Sequence, residues 1–270
     1  MQYYSASSPI SQIRANNFLF EFDQCIDELF PSHPFDSGIS IDNFERVISE
    51  YLAMSISFPY IQAGAIYNNY RLTIDENNDI NKNVEITSAI GSFLVFDEFG
   101  CYAQTQKFGN DGLRNLTNVG HNFHSNLLRR DIETLLGKRV KPVWSDVTNA
   151  YLSDLLAALS DQKLNRNIAY MIAFENHANR MIMSLWNAIH LLFNFPKDSK
   201  LSYFYGHVGG ESPAEAFHVE MTQRMIEDLV PEVDVSQFIS SCIKEYTANI
   251  SWCERILSLS NSDKRIQKDA

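Results

Sequence analysis

NRNIAYMIAFENHANRMIMSLWNAIHLLF, residues 165–193, predicts one long helix that crosses the interior of the protein. Apolar side chains recur along it at intervals of three and four residues, which is the period of a helix with one buried face. Glu175 falls inside that apolar face. A carboxylate there is costly to bury unless it is paired or bound to a metal ion. The stretch therefore predicts a helical bundle with a polar site in its core, or an internal salt bridge from Glu175 to an arginine such as Arg180.

The rest of the chain repeats this helical period. Further helices are expected at about 41–58, 84–103, 121–136, 145–160, 213–229 and 235–259. Pro59 should interrupt the first of them, and Gly137 should end the third. The sequence shows no strand alternation of useful length and no repeat. It therefore predicts an all-α bundle of seven or eight helices in a single domain, residues 1–270, with its core at about 39–260.

The charge and cysteine content exclude several classes of partner. The chain of 270 residues carries a formal net charge of −11, and no cluster of Lys and Arg offsets it. This argues against a nucleic acid or an anionic membrane as the partner. No apolar run approaches the roughly 20 residues of a membrane span, and the first residues lack a signal-peptide pattern. Because the four cysteines form no C-x-x-C pair, we expect buried free thiols in a soluble cytoplasmic protein.

Residues 203–229, YFYGHVGGESPAEAFHVEMTQRMIEDL, place two histidines and several carboxylates around the start of a predicted helix. Glu215 completes a capping box at that helix start, which explains it without any function. His218 lies one turn further on the apolar face, where it is either a satisfied core histidine or a ligand. His207 precedes two glycines that allow a tight turn, so it could fold back beside His218. Glu211, between them, is either a ligand or a solvated residue.

Two further segments carry polar residues at positions that can face the core. Glu98 follows Leu94 by four residues and can therefore face inward, although Asp97 could face inward instead. His121 and His124 are three residues apart on one helix face. Either histidine could be a ligand or could merely cap a helix start.

These candidates come from four predicted helices and could converge inside one bundle. Three carboxylates and three imidazoles form a mixed oxygen and nitrogen set, which suits Fe(II) or Mn(II) better than zinc thiolate or calcium chemistry. The ferritin-like pattern needs two Glu-x-x-His pairs, and this sequence has only one, so that connectivity is disfavoured. The candidate metal ligands are Glu98, His124, Glu175, His207, Glu211 or Glu215, and His218.

Four segments, DEFG, HSNLLRRDIETLLG, AFENHANRMI and YFYGHVGGESPAEAFH, resemble in their order those of the haem-oxygenase-like di-iron oxidases, the superfamily that includes CADD. The resemblance covers about Ile39 to Leu229. It implies a haem-oxygenase-like helical bundle that holds two iron ions per chain, or one iron and one manganese, with O2 as co-substrate. Glu175 and His218 are then catalytic residues as well as ligands.

The same resemblance implies a reaction. The oxidase would cleave, decarboxylate or desaturate a carboxylate-bearing small molecule, such as a fatty acid or an amino acid. It could use an external electron donor and could form a homodimer. The last segment departs from the family pattern, with glutamate for aspartate and extra residues, so Glu211 and Glu215 both stay candidates. A longer loop before His124 keeps His121 as its rival.

A metal-free member of the same fold is the alternative. A TenA-like hydrolase needs an activated cysteine near a carboxylate, and Cys101 lies one turn after Glu98. A cofactor-free oxidase of the PqqC kind is the other metal-free form. In a third interpretation the protein is a non-enzymatic interaction protein, and Glu175 and the histidines form a buried polar network without a metal.

Overall fold

The computed structural model is helical through most of the chain, and none of the residues that it describes forms a β-strand. The described residues are 9–77, 79–80, 82–161, 166–194, 201–209, 218, 221, 225, 227–229 and 235–259. The predicted all-α bundle is confirmed. The prediction of a single domain stays a prediction.

The described ranges contain the following helices. They are α1 Pro9–Leu29, α2 Ile41–Asn77, α3 Lys82–Glu98, α4 Cys101–Phe108, α5 Val119–Asn122, α6 His124–Leu136, α7 Asp146–Leu159, α8 Arg166–Phe193, α9 Ser202–Phe204 and α10 Val235–Ser258. Two 3-10 turns, Pro34–Ser37 and Gly109–Asn115, lie between longer helices. A π-helical turn, Tyr205–Gly209, follows α9 directly. Residues 218, 221, 225 and 227–229 are also helical.

Helix α8 forms a large part of the core, as its sequence period predicts. Ile168, Ile172, Ile182 and Ile189 are each at most 4% exposed. The helix packs against α7 and α10, against the first 3-10 turn and against the π-helical turn. Glu175 is therefore surrounded by other elements, with 7% of its surface exposed.

Helix α2 continues through Pro59, where the sequence predicted an interruption. Proline has no N–H, so the helix loses the hydrogen bond that residue 59 would donate to the carbonyl of Ser55. Packing holds the helix on both sides of this point. The ring of Phe58 stacks on Phe174 with centroids 4.5 Å apart, and Asn69 donates a hydrogen bond of 2.9 Å to a carbonyl at the end of α7. The prediction was wrong because these tertiary contacts outweigh one lost hydrogen bond.

The single helix predicted over 84–103 is in fact two helices, α3 and α4, which are separated at Gly100. Gly100 has φ 68° and ψ 13°, a left-handed conformation that glycine adopts without steric cost. A Cβ at this position would also collide with the carbonyl oxygen of Asn122. The break makes Glu98 the last residue of α3, so that Asp97 and Glu98 lie where the chain turns.

A pair of buried histidines joins the segment before α2 to α8. The Phe35 N–H donates a hydrogen bond of 3.1 Å to His33 Nδ1. His33 Nε2 therefore carries the proton, and it donates to His177 Nε2 at 3.3 Å. Both side chains are 1% exposed. Burial lowers the pKa of His33 to about 4 and the pKa of His177 well below its usual range.

In the described part of the chain, no helix has both the length and the apolar composition that crossing a membrane requires.

The histidine pair predicts a loss of stability in mild acid. A histidine whose pKa is lower in the folded state than in the unfolded state, where it is about 6.5, stabilises the fold above pH 6.5. This stabilisation is lost as the pH falls toward 4, with a slope of about 1.4 kcal/mol per pH unit for each such group. In the metal-free protein, His33→Gln should therefore reduce the dependence of the unfolding free energy on pH between 6.5 and 4.5. Urea denaturation at several pH values measures this dependence.

The control for this experiment is His121→Gln, because His121 is exposed to solvent. This variant should keep the pH dependence of the original protein. Identical slopes for His33→Gln and the original protein would contradict the prediction.

Candidate metal centre

Helix α3 ends with two consecutive carboxylates that reach two different groups of side chains. Asp97 Oδ2 lies 3.2 Å from His218 Nε2, and Glu98 Oε1 lies 3.6 Å from His124 Nδ1. Because neighbouring residues of a helix differ in direction by about 100°, the two side chains can reach different partners in the same polar core. The sequence left open whether Asp97 or Glu98 faces inward. In the structure both side chains face the polar core.

The first cluster consists of Glu98, His124 and His207, whose ligand atoms all lie within 4.8 Å of one another. The rings of the two histidines meet edge to face, with centroids 4.7 Å apart. His207 Nδ1 donates a hydrogen bond of 2.7 Å to the Tyr203 carbonyl, which orients the ring. Its Nε2 is buried and has no hydrogen-bond partner among the described residues, and the same holds for His124 Nδ1.

Buried polar atoms without a partner are rare, and two of them beside a carboxylate need an explanation. An unprotonated imidazole nitrogen offers a lone pair, and an ionised carboxylate offers a negative charge. A divalent cation binds both kinds of atom. The first cluster therefore fits a metal ion.

The second cluster consists of Asp97, Glu175 and His218. Glu175 Oε2 lies 3.1 Å from His218 Nδ1, and all three side chains are at most 7% exposed. Among the described residues no arginine pairs with Glu175, which contacts His218 instead. Arg180 instead contacts Asp27, with nitrogen and oxygen 3.8 Å apart, and the carbonyl of Phe30.

A narrow cleft with a volume of about 30 Å³ brings the two clusters together. Glu98 and His207 line it from the first cluster, and Glu175 and His218 line it from the second. The remaining walls are mostly apolar and aromatic. They are formed by Tyr51, Met54, Ser55, Phe58, Phe174, Ala178, Met181, Ile182 and Tyr203.

Two of the three groups of the first cluster are in the form that binds a metal ion. Burial opposes protonation of His124, but the charge of Glu98 outweighs it and raises the pKa of this histidine, so a metal would displace a proton there. Burial opposes the ionisation of Glu98, but the nearby charge of His124 outweighs it and lowers the pKa of the carboxyl. Burial also lowers the pKa of His207 to about 4, so this imidazole is neutral at pH 7. An ionised carboxylate and a neutral imidazole are the forms that bind metal ions.

Asp131 holds in place the segment that carries His207. It lies two turns after His124 on the same face of α6 and is 4% exposed. Its two carboxylate oxygens accept hydrogen bonds of 2.8 Å from the backbone N–H groups of Ser202 and Tyr203. Tyr203 in turn supplies the carbonyl that orients His207, so α6 positions both histidines of the first cluster. Burial raises the pKa of Asp131 to about 6.

The structure thus brings together Glu98, His124, Glu175, His207 and His218, although their role as ligands stays a prediction. Glu211 and Glu215 lie outside the described residues. His121, the rival of His124, is exposed and lies outside both clusters. Sequence reasoning missed Asp131. Its spacing after His124 and Leu128 could have indicated a buried position, but its backbone partners lie about seventy residues away in the chain.

A second group of potential ligands consists of His33, His177 and Cys253, all of them buried. The hydrogen bonds of this group are satisfied without a metal. A metal on His33 Nε2 would require a proton on Nδ1, where the Phe35 N–H already donates. This group therefore belongs to the packing of the core.

Two crystal structures of a CADD-like protein of unknown function from Nostoc punctiforme have a similar fold. One has a TM-score of 0.64 at 14% identity and covers 91% of this chain and 97% of that chain. The other has a TM-score of 0.62 at 14% identity and covers 91% and 95%. No protein-family model and no curated protein matches the sequence.

The described residues form an all-α helical bundle with a polar centre in its core. Within that class, the fold of this chain is similar to that of CADD-like proteins. The resemblance that the four sequence segments indicate is confirmed at the level of the fold. The comparison gives no reaction, because the similar structures are of a protein of unknown function.

Gly100→Ala should destabilise the protein more than Gly137→Ala. The two glycines have nearly the same dihedral angles, φ 68° and ψ 13° against φ 64° and ψ 12°. A Cβ at Gly137 meets open space, whereas a Cβ at Gly100 collides with Asn122. We expect a loss of about 1 kcal/mol for Gly137→Ala from backbone strain alone, and of about 2–4 kcal/mol for Gly100→Ala. Chemical denaturation measures both, and equal losses would contradict the prediction.

Proposed function

We propose that this protein is a non-haem di-iron oxidase or oxygenase that uses O2 to oxidise a carboxylate-bearing small molecule, such as a fatty acid or an amino acid. The observation that carries the proposal is the pair of buried, unpartnered nitrogens of His124 and His207 beside Glu98, across one cleft from Glu175 and His218. Two groups of nitrogen and oxygen donors facing one cleft are what a two-metal centre requires.

Each of the two clusters would hold one of the two metal ions. Glu98, His124 and His207 would hold one ion, and Glu175 and His218 would hold the other. Either two irons or one iron and one manganese would suit these donors. When bound, the metals would supply the activation of O2 and the oxidising power for C–C cleavage, decarboxylation or desaturation, with electrons from an external donor where the reaction needs them.

The protein's own part is to orient the ligands and to keep water away from the reacting carbon. Met54, Phe58, Phe174 and Ile182 give the cleft an apolar wall. Glu175 and His218 have the catalytic role because they hold ligand atoms at the cleft surface, where a substrate would lie against them. A cytoplasmic location and a homodimer stay predictions.

A second groove beside the same centre supports an acidic substrate. This groove has a volume of about 420 Å³ and shares Ser55 and Glu98 with the cleft. Its aromatic wall includes Phe99 and Phe123, which stack with centroids 4.5 Å apart. Arg129 lines the groove as well.

The guanidinium of Arg129 is a candidate binding group for an anion. Among the described residues it has neither a hydrogen bond nor an ion pair, and burial, together with the charge of Arg139, lowers its pKa. A carboxylate bound in the groove would give its guanidinium a planar, bidentate partner. The aromatic wall would cover the apolar body of the same molecule.

The alternative, a TenA-like or PqqC-like metal-free enzyme, receives less support. The hydrolase requires an activated thiol, and burial, together with the charge of Asp97, raises the pKa of Cys101. A raised thiol pKa disfavours the nucleophilic thiolate. Hydrolase activity that survives chelation and disappears in Cys101→Ser would nevertheless favour this alternative.

Anaerobic titration of the metal-free protein with Fe(II), followed by exposure to O2 and absorption spectroscopy, tests the proposed function. We expect about two irons per chain and a transient visible band. Glu175→Gln and His207→Gln should each lose at least one iron, because each removes a ligand. The absence of stoichiometric iron in the original protein would overturn the proposal.

Two control variants accompany this titration. His121→Gln and Glu133→Gln change the same residue types at exposed positions on α5 and α6. Both should bind as much iron as the original protein. A loss of iron in these variants would mean that the ligand variants act through general damage to the fold.

Arg129→Gln should weaken the binding of a medium-chain acid to the groove. Because a hydrogen bond to a charged group contributes about 1.5–3 kcal/mol, we expect at least a tenfold loss in affinity for octanoate by calorimetry. Octan-1-ol, which lacks the charge, should bind both proteins equally. Arg71→Gln is the matched control, since Arg71 is exposed and pairs with Asp75. Equal octanoate affinities for Arg129→Gln and the original protein would contradict the role of Arg129.

A further inference from the structure

The imidazole of His218 lies between two carboxylates. Its Nδ1 is 3.1 Å from Glu175 Oε2, and its Nε2 is 3.2 Å from Asp97 Oδ2. The ring is 5% exposed, Asp97 is 5% exposed and Glu175 is 7% exposed. Neither side of the ring is therefore open to bulk water.

A neutral imidazole carries one N–H and one lone pair. Only one of the two carboxylates can accept a hydrogen bond from it. On the other side of a neutral ring, a nitrogen lone pair faces a carboxylate oxygen at about 3 Å, which is repulsive. Either a second proton on the ring or a metal ion between the two atoms relieves this repulsion. The same separation suits neighbouring ligands of one metal ion, whose bonds to nitrogen and oxygen are about 2.0–2.2 Å long.

The lining of the cleft indicates on which side of the His218 ring a cation would bind. Glu175 and His218 both line it, whereas Asp97 is absent from its described lining. The Nδ1 side of the ring therefore faces the space where a metal would bind. The Nε2 side faces Asp97, which is not among the described residues that line the cleft.

We propose that Asp97 is a positioning residue that accepts the Nε2 proton of His218 and so directs the Nδ1 lone pair, beside Glu175, toward the cleft. The inference deepens the proposed function and rests on it, because it assigns the atom through which His218 would bind a metal. Asp97 and Glu98 then have different roles. Glu98 is itself a ligand in the first cluster, and Asp97 acts on the second cluster through His218.

This role follows a general property of histidine ligands, which donate their other ring N–H to a carboxylate or a carbonyl. His207 has the same arrangement in the first cluster, with Nδ1 bound to the Tyr203 carbonyl and Nε2 left free. The two histidines would therefore present opposite ring nitrogens to the metals.

The metal affinity of the Asp97→Asn variant distinguishes a positioning role of Asp97 from a role as a direct metal ligand. The amide keeps the shape of the side chain and one acceptor oxygen but removes the charge. In a chelator competition with Fe(II) under anaerobic conditions, we expect the variant to keep two ions and to bind one of them about 10- to 100-fold more weakly. The loss of one ion altogether would make Asp97 a ligand, and an unchanged affinity would deny it any role. Either result overturns the inference.

The matched control is Asp154→Asn, which makes the same change at an exposed position on α7. It should leave both affinities unchanged.

A second measurement needs no metal. Nitrogen-15 NMR of the histidine rings reports which nitrogen carries the proton, and comparison with His218→Gln assigns the signal. In the metal-free protein, at a pH where His218 is neutral, we expect the proton on Nε2. A proton on Nδ1 overturns the inference. If the original protein binds no iron, the proposed function fails, and this spectrum still decides the tautomer of His218.

Discussion

Burial of the Glu175 carboxylate is the constraint on which the arrangement of the core depends. The side chain lies within the apolar face of α8 with only 7% of its surface exposed. An ionised group at such a depth is strongly unfavourable unless a positive or proton-donating partner lies against it. His218 Nδ1 lies against the carboxylate, and in the proposed centre a metal ion held by both groups would supply the positive charge. Asp97, on the far side of the ring, connects the histidine to α3. The centre is therefore a set of charges that balance one another inside an apolar bundle.

Several elements supply the centre, and each is held by contacts outside it. Helix α8 carries Glu175, α6 carries His124 and Asp131, and the π-helical turn carries His207. Asp131 accepts hydrogen bonds from the backbone that leads into that turn. π-Helical turns are uncommon and frequently occur at functional sites. The geometry of the first cluster is thus fixed by packing and hydrogen bonds before any ion arrives, which lowers the cost of binding one.

The sequence predicted those parts of the fold and site that follow from a helical period. Glu175 and His218 were recognisable because each interrupts an apolar face. The continuation of α2 past Pro59 was not predictable, because it depends on contacts with distant residues. The inward direction of both Asp97 and Glu98 was hidden for a related reason. It follows from the end of α3 at Gly100, and that break depends on the close approach of Asn122. Local pattern identified the unusual residues, and long-range packing decided their partners.

The adjacency of Asp97 and Glu98 has a mechanical consequence. The two groups of side chains are connected through a single peptide unit at the end of one helix. A displacement of the last turn of α3 therefore moves both carboxylates together. Binding at one cluster that shifts this turn would also move the carboxylate at the other, so the affinities of the two positions would be coupled.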